Sequence, residues 1–329
     1  MLHLIVTLAA CLAALFSPLS YAEPISFPGR PITLVVPFPA DGPTDILARD
    51  LSAALHRSLG GAPFRIEYVA GSSGTRGMAL VAQAHPDGYT LLLSHIGIAT
   101  APATFGRLPF DPTRDLDYLG LIVDVPMVLL GRTRLQSATL HTLQAQLKGA
   151  PWKFNIGHAG LGSASYLCAA KLQQLMDVEL TTVPYPGASQ AMNALLTDQI
   201  DLMCNMTTHA LRPLRDRQIQ AYAVSSPQRL EPESLRLIPT FQESGLAPMT
   251  MSVWYGLYAP RGLPEPVTQR LSAALRAALK DPEFVSRQLS AGASVVQDDR
   301  LSPEGHRRFV SEQIRFWSEF LKPQRQPTP

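Results

Sequence analysis

The chain has 329 residues, of which 46% are hydrophobic and only 16% charged, enough apolar side chain for sizeable cores and, by length, about two domains. That balance excludes a disordered chain. Lys and Arg number 28 against 26 Asp and Glu, a formal charge of +2 spread along the chain, which speaks against a nucleic-acid groove or a polybasic membrane patch.

Residues 1–22 hold no Asp, Glu, Lys or Arg, carry an apolar run from Leu4 to Phe16 and end in Ser20-Tyr21-Ala22. This is the anatomy of an export signal, with the mature chain expected to begin at Glu23. The run is shorter than the roughly 20 residues that a spanning helix needs. Leu8-Ala9-Ala10-Cys11 also fits a lipoprotein cleavage box, but cutting there leaves a very short signal, so a soluble exported product is expected rather than a lipid anchor at Cys11. Cys168 and Cys204 then remain in a compartment where a disulfide is chemically allowed. A domain of this size does not need a staple, and two buried free thiols are expected.

The apolar run Ile32 to Val36, the turn Pro37 to Asp45 and the periodic segment Ile46 to Leu59 form a strand, a loop and a helix opened by Pro43 or Thr44. The loop amides face out at the positive helix end, a seat for an anion. Gly60-Gly61 stops the helix, Phe64 to Val69 alternates as a strand, and Gly71 to Gly77 turns into a short helix ending near Ala84. Tyr89 to Leu93 is the next strand, stopping at Ser94-His95. Strands alternating with helices predict a parallel sheet, whose ligands sit at the carboxyl ends of the strands.

The same grammar restarts near Pro126: strand Met127–Leu130, helix Leu140–Leu147, strand Lys153–Ile156, then the loop Gly157 to Ser163 and a helix to Met176. Strand Leu180–Val183 runs into Pro184 to Ala188 and a helix to Leu196, followed by strands Ile200–Met203 and Ala221–Ser225. The end of the chain offers one strand, Val253–Tyr258, a helix from Pro266 to Leu279 and a long helix from Pro303 to Leu321. These are too few strands for a sheet of their own, so the tail is expected to return and cover the first domain.

Several motifs taken together carry a resemblance. Arg30-Pro31-Ile32 through Pro37-Phe38-Pro39-Ala40, Pro43-Thr44-Asp45, Pro86 to Leu91 and Leu108 to Pro112 resemble successive motifs of the Bug receptors, the periplasmic substrate-binding proteins of tripartite tricarboxylate transporters. The match continues in order through Val183-Pro184-Tyr185, Asp201-Leu202-Met203, Pro239-Thr240 with Glu243 to Leu246, and Trp254 to Pro260. The resemblance implies a type II periplasmic binding protein, α/β in class, with two doubly wound domains flanking a ligand cleft. Domain one would comprise residues 23–125 plus 250–329, and domain two residues 126–249.

Such a receptor hinges closed on a small organic solute, usually a carboxylate held by backbone amides and water. It would act as a monomer that delivers its ligand to the transporter's membrane subunits, with no cofactor and no nucleic acid. Carried over by position, the ligand-facing residues are Phe38, Ala40, Gly42, Thr44 and Asp45, with Ser94 and His95, in domain one. In domain two they are His158, Ala159, Gly160, Gly162 and Ser163, then Tyr185, Gly187 and Ala188. Asp45 is equally explained as a partner of the helix dipole, and Tyr185 as a packed aromatic.

The chain departs from the family pattern at Asp41, where the first loop usually reads Ala-Gly-Gly, at Pro186 in place of a common Lys, and at Asn205 in place of a common Asp. Two like charges ~4 Å apart at an effective dielectric of ~20 repel by about 4 kcal/mol. Asp41 therefore points to solvent, caps the helix, or takes the place of a ligand carboxylate; the last would make the ligand neutral or amine-bearing. An enzyme is disfavoured, since Gly157 to Gly162 reverses the dinucleotide spacing and the eight histidines show no metal-ligand spacing. An exported sensor subunit signalling to a membrane kinase would use the same cleft.

Overall fold

The computed structural model describes residues 27–247 and 249–321. The expected export signal, the start at Glu23 and Cys11 lie outside the described residues. In chain order the elements are β1 (Ile32–Val36), α1 (Pro43–Ser58), β2 (Phe64–Tyr68), α2 (Thr75–Ala82), β3 (Thr90–His95), α3 (Gly97–Phe105) and β4 (Leu116–Arg132). Next come α4 (Leu140–Gly149), β5 (Asn155–His158), α5 (Ala164–Met176), β6 (Thr181–Pro184), α6 (Ala188–Leu196), β7 (Leu202–Met206), α7 (Thr207–Arg215) and β8 (Ile219–Val224). The chain closes with β9 (Ser252–Pro260), α8 (Glu265–Ala278), α9 (Pro282–Ser290), β10 (Ser294–Val295) and α10 (Pro303–Leu321).

The strands follow one path, β2-β1-β3-β9-β4-β7-β5-β6, with β8 and β10 as further partners of β4. β1, β2 and β3 pair in parallel, as do β5 with β6 and with β7, while β9 lies antiparallel between β3 and β4. The 17-residue β4 belongs to both halves of this path. From Leu116 to Pro126 it pairs with β9, and from Met127 onward with β7 and β8. The expected strand Met127–Leu130 is therefore only the second half of β4. Pro126, near which the second run of elements was expected to begin, sits where the strand changes partners.

Three crossing segments are tied together beside that point. The Met127 amide donates to Ser225 Oγ at 2.8 Å, the Ser225 amide to the Met127 carbonyl at 2.8 Å, and Ser225 Oγ to the Met251 carbonyl.

Helices cover both faces of the path, which is why its central strands read as continuous apolar runs. The residues of α1 at Leu47, Leu51, Ala54 and Leu55 are buried at helical spacing, with Pro43 in the first turn and Gly60 and Gly61 at positive φ after the last. On β4, Leu129 joins the main core while Val128 and Leu130 face a second, smaller cluster with Met192, Leu195 and Ile219. At the end of the chain β9 and β10 pair with β4, and α10 packs on α3 and β4. Helix α9 and the short β10 were not foreseen.

One expectation is overturned. Cys168 on α5 and Cys204 on β7 form a disulfide with Cα atoms 6.0 Å apart. Cys204 lies inside the strand rather than after it, and α5 packs directly on β7. Burial was read correctly, but the separation of two buried positions is set by packing between a helix and a strand, which neither segment shows alone.

Candidate functional site

Four helices start at one place. The capping or first-turn residues Gly42, Pro43 and Thr44 of α1, Ser163, Ala164 and Ser165 of α5, Gly187 and Ala188 of α6, and Met206 before α7 all line one cavity. Phe38, Pro39, His95, Met127, Ala159 and Asn205 complete it. The first amides of a helix have no partner within it, so each start offers N–H groups and a partial positive charge. Among the described residues no Lys, Arg, Asp or Glu lines the cavity, and the one titratable ring there is that of His95, whose charged form burial disfavours. Among the described residues no group of His, Cys, Asp and Glu is placed to hold a metal ion.

His95 accepts the Gly97 amide on Nδ1 at 2.9 Å, which leaves Nε2 as the protonated nitrogen. Its ring stacks on Phe38 at 4.3 Å and meets Tyr255 edge-on at 5.4 Å. Burial pushes its pKa down to about 3. Behind the cavity, Thr44 Oγ1 and the Tyr255 hydroxyl lie 3.3 Å apart, and that hydroxyl donates to Met206 Sδ at 3.0 Å.

The two halves meet around this cavity. Ser73 Oγ donates to the Leu161 carbonyl at 2.7 Å, Thr100 Oγ1 to the Gly162 carbonyl at 2.8 Å, and Ser189 Oγ to the Ala40 carbonyl at 3.1 Å. Gly162 and Gly187 are needed for that approach, because a Cβ would fall 2.6 Å from Thr104 Oγ1 at the first and 2.9 Å from the Pro39 ring at the second. With the walls so close, the space between them is about 40 Å³, room for only a few waters. Larger grooves of about 890 and 540 Å³ share Leu230, Gly292 and Ser294, but they are open surface features on which no such set of helix starts converges.

The expected site residues therefore divide. Phe38, Gly42, Thr44, His95, Ala159, Ser163, Gly187, Ala188 and Asn205 line the cavity. Ala40, Gly160 and Gly162 lie in the loops that join the halves. Ser94 is buried on β3 with an unpartnered Oγ. His158 is buried against Tyr166 at 5.2 Å; burial lowers its pKa, opposed by a hydrogen bond to the Gly160 carbonyl. Tyr185 packs on the smaller cluster beside Gly157.

Asp45 also faces away from the cavity. Its carboxylate accepts Tyr68 Oη at 2.7 Å, Arg49 Nε at 2.9 Å and the Asp41 amide at 2.9 Å. Burial alone would raise its pKa, and these hydrogen bonds outweigh it, leaving the group below its usual value.

Asp41 was read three ways from the sequence. It is exposed, does not line the cavity, and neither it nor the N-cap Gly42 gives the helix a side-chain cap. Its φ is 61°, in the left-handed region. Of the three sequence readings, its exposure agrees with the solvent-facing one. Pro39, Pro43, Met127, Ala164, Ser165 and Met206 were missed. Met127 could not be found from motifs, because it reaches the cavity only through the path of β4 between the halves.

A mixed α/β sheet covered by helices, with a cavity of converging helix starts between its two halves, defines a solute-binding protein of the periplasmic type. The model of the tripartite tricarboxylate transporter family receptor matches residues 47–324, and the chain belongs to that family. It is 38% identical to the UPF0065 protein in the TAR-I ttuE-ttuC' intergenic region of Agrobacterium vitis, over 90% of this chain and 85% of that one. Its fold is similar to the periplasmic binding protein BugD, with a TM-score of 0.86 and 38% identity over 90% of this chain and 98% of that one. It is also similar to MatC from Rhodopseudomonas palustris with bound malate, with a TM-score of 0.83 and 34% identity over 90% of this chain and all (100%) of that one.

Proposed function

We propose that the chain is an exported, monomeric receptor whose two lobes, divided where β4 changes partners, close over a small organic carboxylate and present it to the membrane subunits of a tripartite transporter. The observation that carries this reading is the convergence of four helix starts on a cavity that, among the described residues, no charged side chain lines. A carboxylate there meets amide donors and positive helix ends and no opposing charge. Enclosure between the walls strengthens each of those bonds by excluding water. The cavity offers hydroxyls, amides and a neutral ring, a set that suits recognition rather than turnover. Residues 1–22 serve as the export signal. With Asp41 outside the cavity, an ordinary carboxylate fits better than an amine.

A thermal-shift screen tests this. Malate, other mono-, di- and tricarboxylates, amino acids and nicotinamide are each added to the purified chain. At a hundred times its dissociation constant a ligand adds about 2.7 kcal/mol of stability. A rise of several degrees with a carboxylate is expected. A rise with amines or amides alone, or with none of these solutes, would overturn the carboxylate reading.

A further inference from the structure

Three hydroxyls, those of Ser73, Thr100 and Ser189, reach across between the walls to main-chain carbonyls. Two of them hold the same loop. Ser73 Oγ meets the carbonyl of Leu161 at 2.7 Å and Thr100 Oγ1 that of Gly162 at 2.8 Å, in a turn where Gly160 and Gly162 sit at φ of 93° and 73°. The Ser72–Gly74 turn packs against α3, so both donors belong to one surface of the first half. The loop they hold leads into α5, whose Ser163 and Ala164 line the cavity together with Ala159 on the other side of the turn.

The Thr100 bond differs from the other two. Thr100 is 1% exposed and Gly162 is buried as well, whereas Ser73 and Ser189 are half-buried. A bond shielded from water is electrostatically stronger, and its loss costs more. Thr100 Oγ1 also lies 3.2 Å from the Gly97 carbonyl, three residues back in its own helix, the local partner that a helical threonine commonly takes. A hydroxyl has one proton to give, and this one has two acceptors, one inside α3 and one on the facing loop.

We infer that Thr100 is a positioning residue for ligand enclosure, its hydroxyl passing from the Gly97 carbonyl to the Gly162 carbonyl as the halves close and holding the start of α5 against the first half. The inference rests on the proposal that these halves part and close as lobes. In the open state the hydroxyl keeps a partner in Gly97, and water reaches the Gly162 carbonyl. In the closed state that carbonyl is buried and depends on what the facing wall offers it. Loss of the hydroxyl therefore falls on the closed state, where it should lower the ratio of closed to open chains about 10-fold. Ser73 and Ser189, within reach of water, should each matter by only about 2-fold.

The test places spin labels on Arg65→Cys and Lys148→Cys, one exposed position in each half, in a Cys11→Ala background, and reads the distribution of separations with and without malate as a probe. Thr100→Ala and Thr100→Ser are compared, because the two differ by the hydroxyl alone. Thr100→Ser should keep the native share of the short separation. Thr100→Ala should reduce that share about 10-fold relative to the long separation, and malate should leave it about 10-fold faster than it leaves the native chain. Ser73→Ala, on the surface, gives the smaller change in the same direction. Circular dichroism melts confirm that each variant is folded.

One distribution shared by the native, Ser and Ala forms, or a Ser variant as open as the Ala variant, would overturn the role of Thr100. If malate shortens the separation equally in all three, the hydroxyl switch fails and the receptor reading stands. If Thr100→Ala opens the chain while malate moves nothing, the switch stands and malate is not the ligand. If neither probe nor variant moves the labels, the closing-lobe reading fails with it.

Discussion

The two walls of the cavity are built from different materials. The wall from the first half is stiff and bulky: Phe38, Pro39, Pro43 and a His95 ring stacked on Phe38, backed by the buried Asp45 carboxylate with Arg49 and Tyr68. The opposite wall is small and polar: Ala159, Ser163, Ala164, Ser165, Gly187, Ala188 and Asn205, backed by the Cys168–Cys204 disulfide. One wall supplies shape and the other supplies donors and close approach. Bulky rings limit where a ligand can lie, whereas small residues let amides and the facing backbone come within hydrogen-bond range.

The comparison can be broken most severely at the disulfide. Cys168→Ala with Cys204→Ala opens a link across 36 residues, which chain entropy values at about 4 kcal/mol. A urea melt should show a loss of about that size, concentrated in protection of α5 and β7 against hydrogen exchange. Next is Gly187→Val, which sets a branched side chain against the Pro39 ring. Calorimetry with malate should show binding weaker by about 100-fold, about 2.7 kcal/mol, while the melting midpoint moves little.

On the first wall, Asp45→Asn removes the charge from a buried site held by Tyr68, Arg49 and the Asp41 amide and should cost about 1–2 kcal/mol. The native Asp45 has its pKa lowered by folding. Its stabilisation is therefore fully present above the ordinary carboxylate value near 3.9 and lost as pH falls through the lowered one. Melts between pH 5 and 2 should show a shallower decline for the variant. The smallest effect belongs to Asp41→Gly. Relief of a positive φ should stabilise the chain by up to about 1 kcal/mol, and the ranking of ligands in the thermal-shift screen should not change.

The first wall was largely legible in the sequence because a strand, a Pro-rich turn and a helix opened by Pro43 are local features, and Phe38, Gly42 and Thr44 follow from them. The second wall was legible at its glycine and serine turns. What escaped depends on distance across the fold. The bond between Cys168 and Cys204 needs α5 laid on β7, and Met127 reaches the cavity only through β4. The positive φ of Asp41 is a single dihedral angle that its neighbours do not announce. Asp45 lies outside the cavity lining, and its partners Tyr68, Arg49 and the Asp41 amide are a constellation that the helix start alone does not announce.

The place of β9 between β3 and β4 also sets a timetable for assembly. Every strand of the second half after the partner change at Met127 is complete by Val224, so that half can pair its strands while the rest of the chain is still being delivered. The strands β1, β2 and β3 have no such freedom. The edge of β3 stays open until residues 252–260 arrive to fill it, and an open edge is a template for wrong partners. The first part of the chain to emerge is thus among the last to be finished, and a chain cut short before Pro260 should leave a completed middle attached to an unprotected beginning.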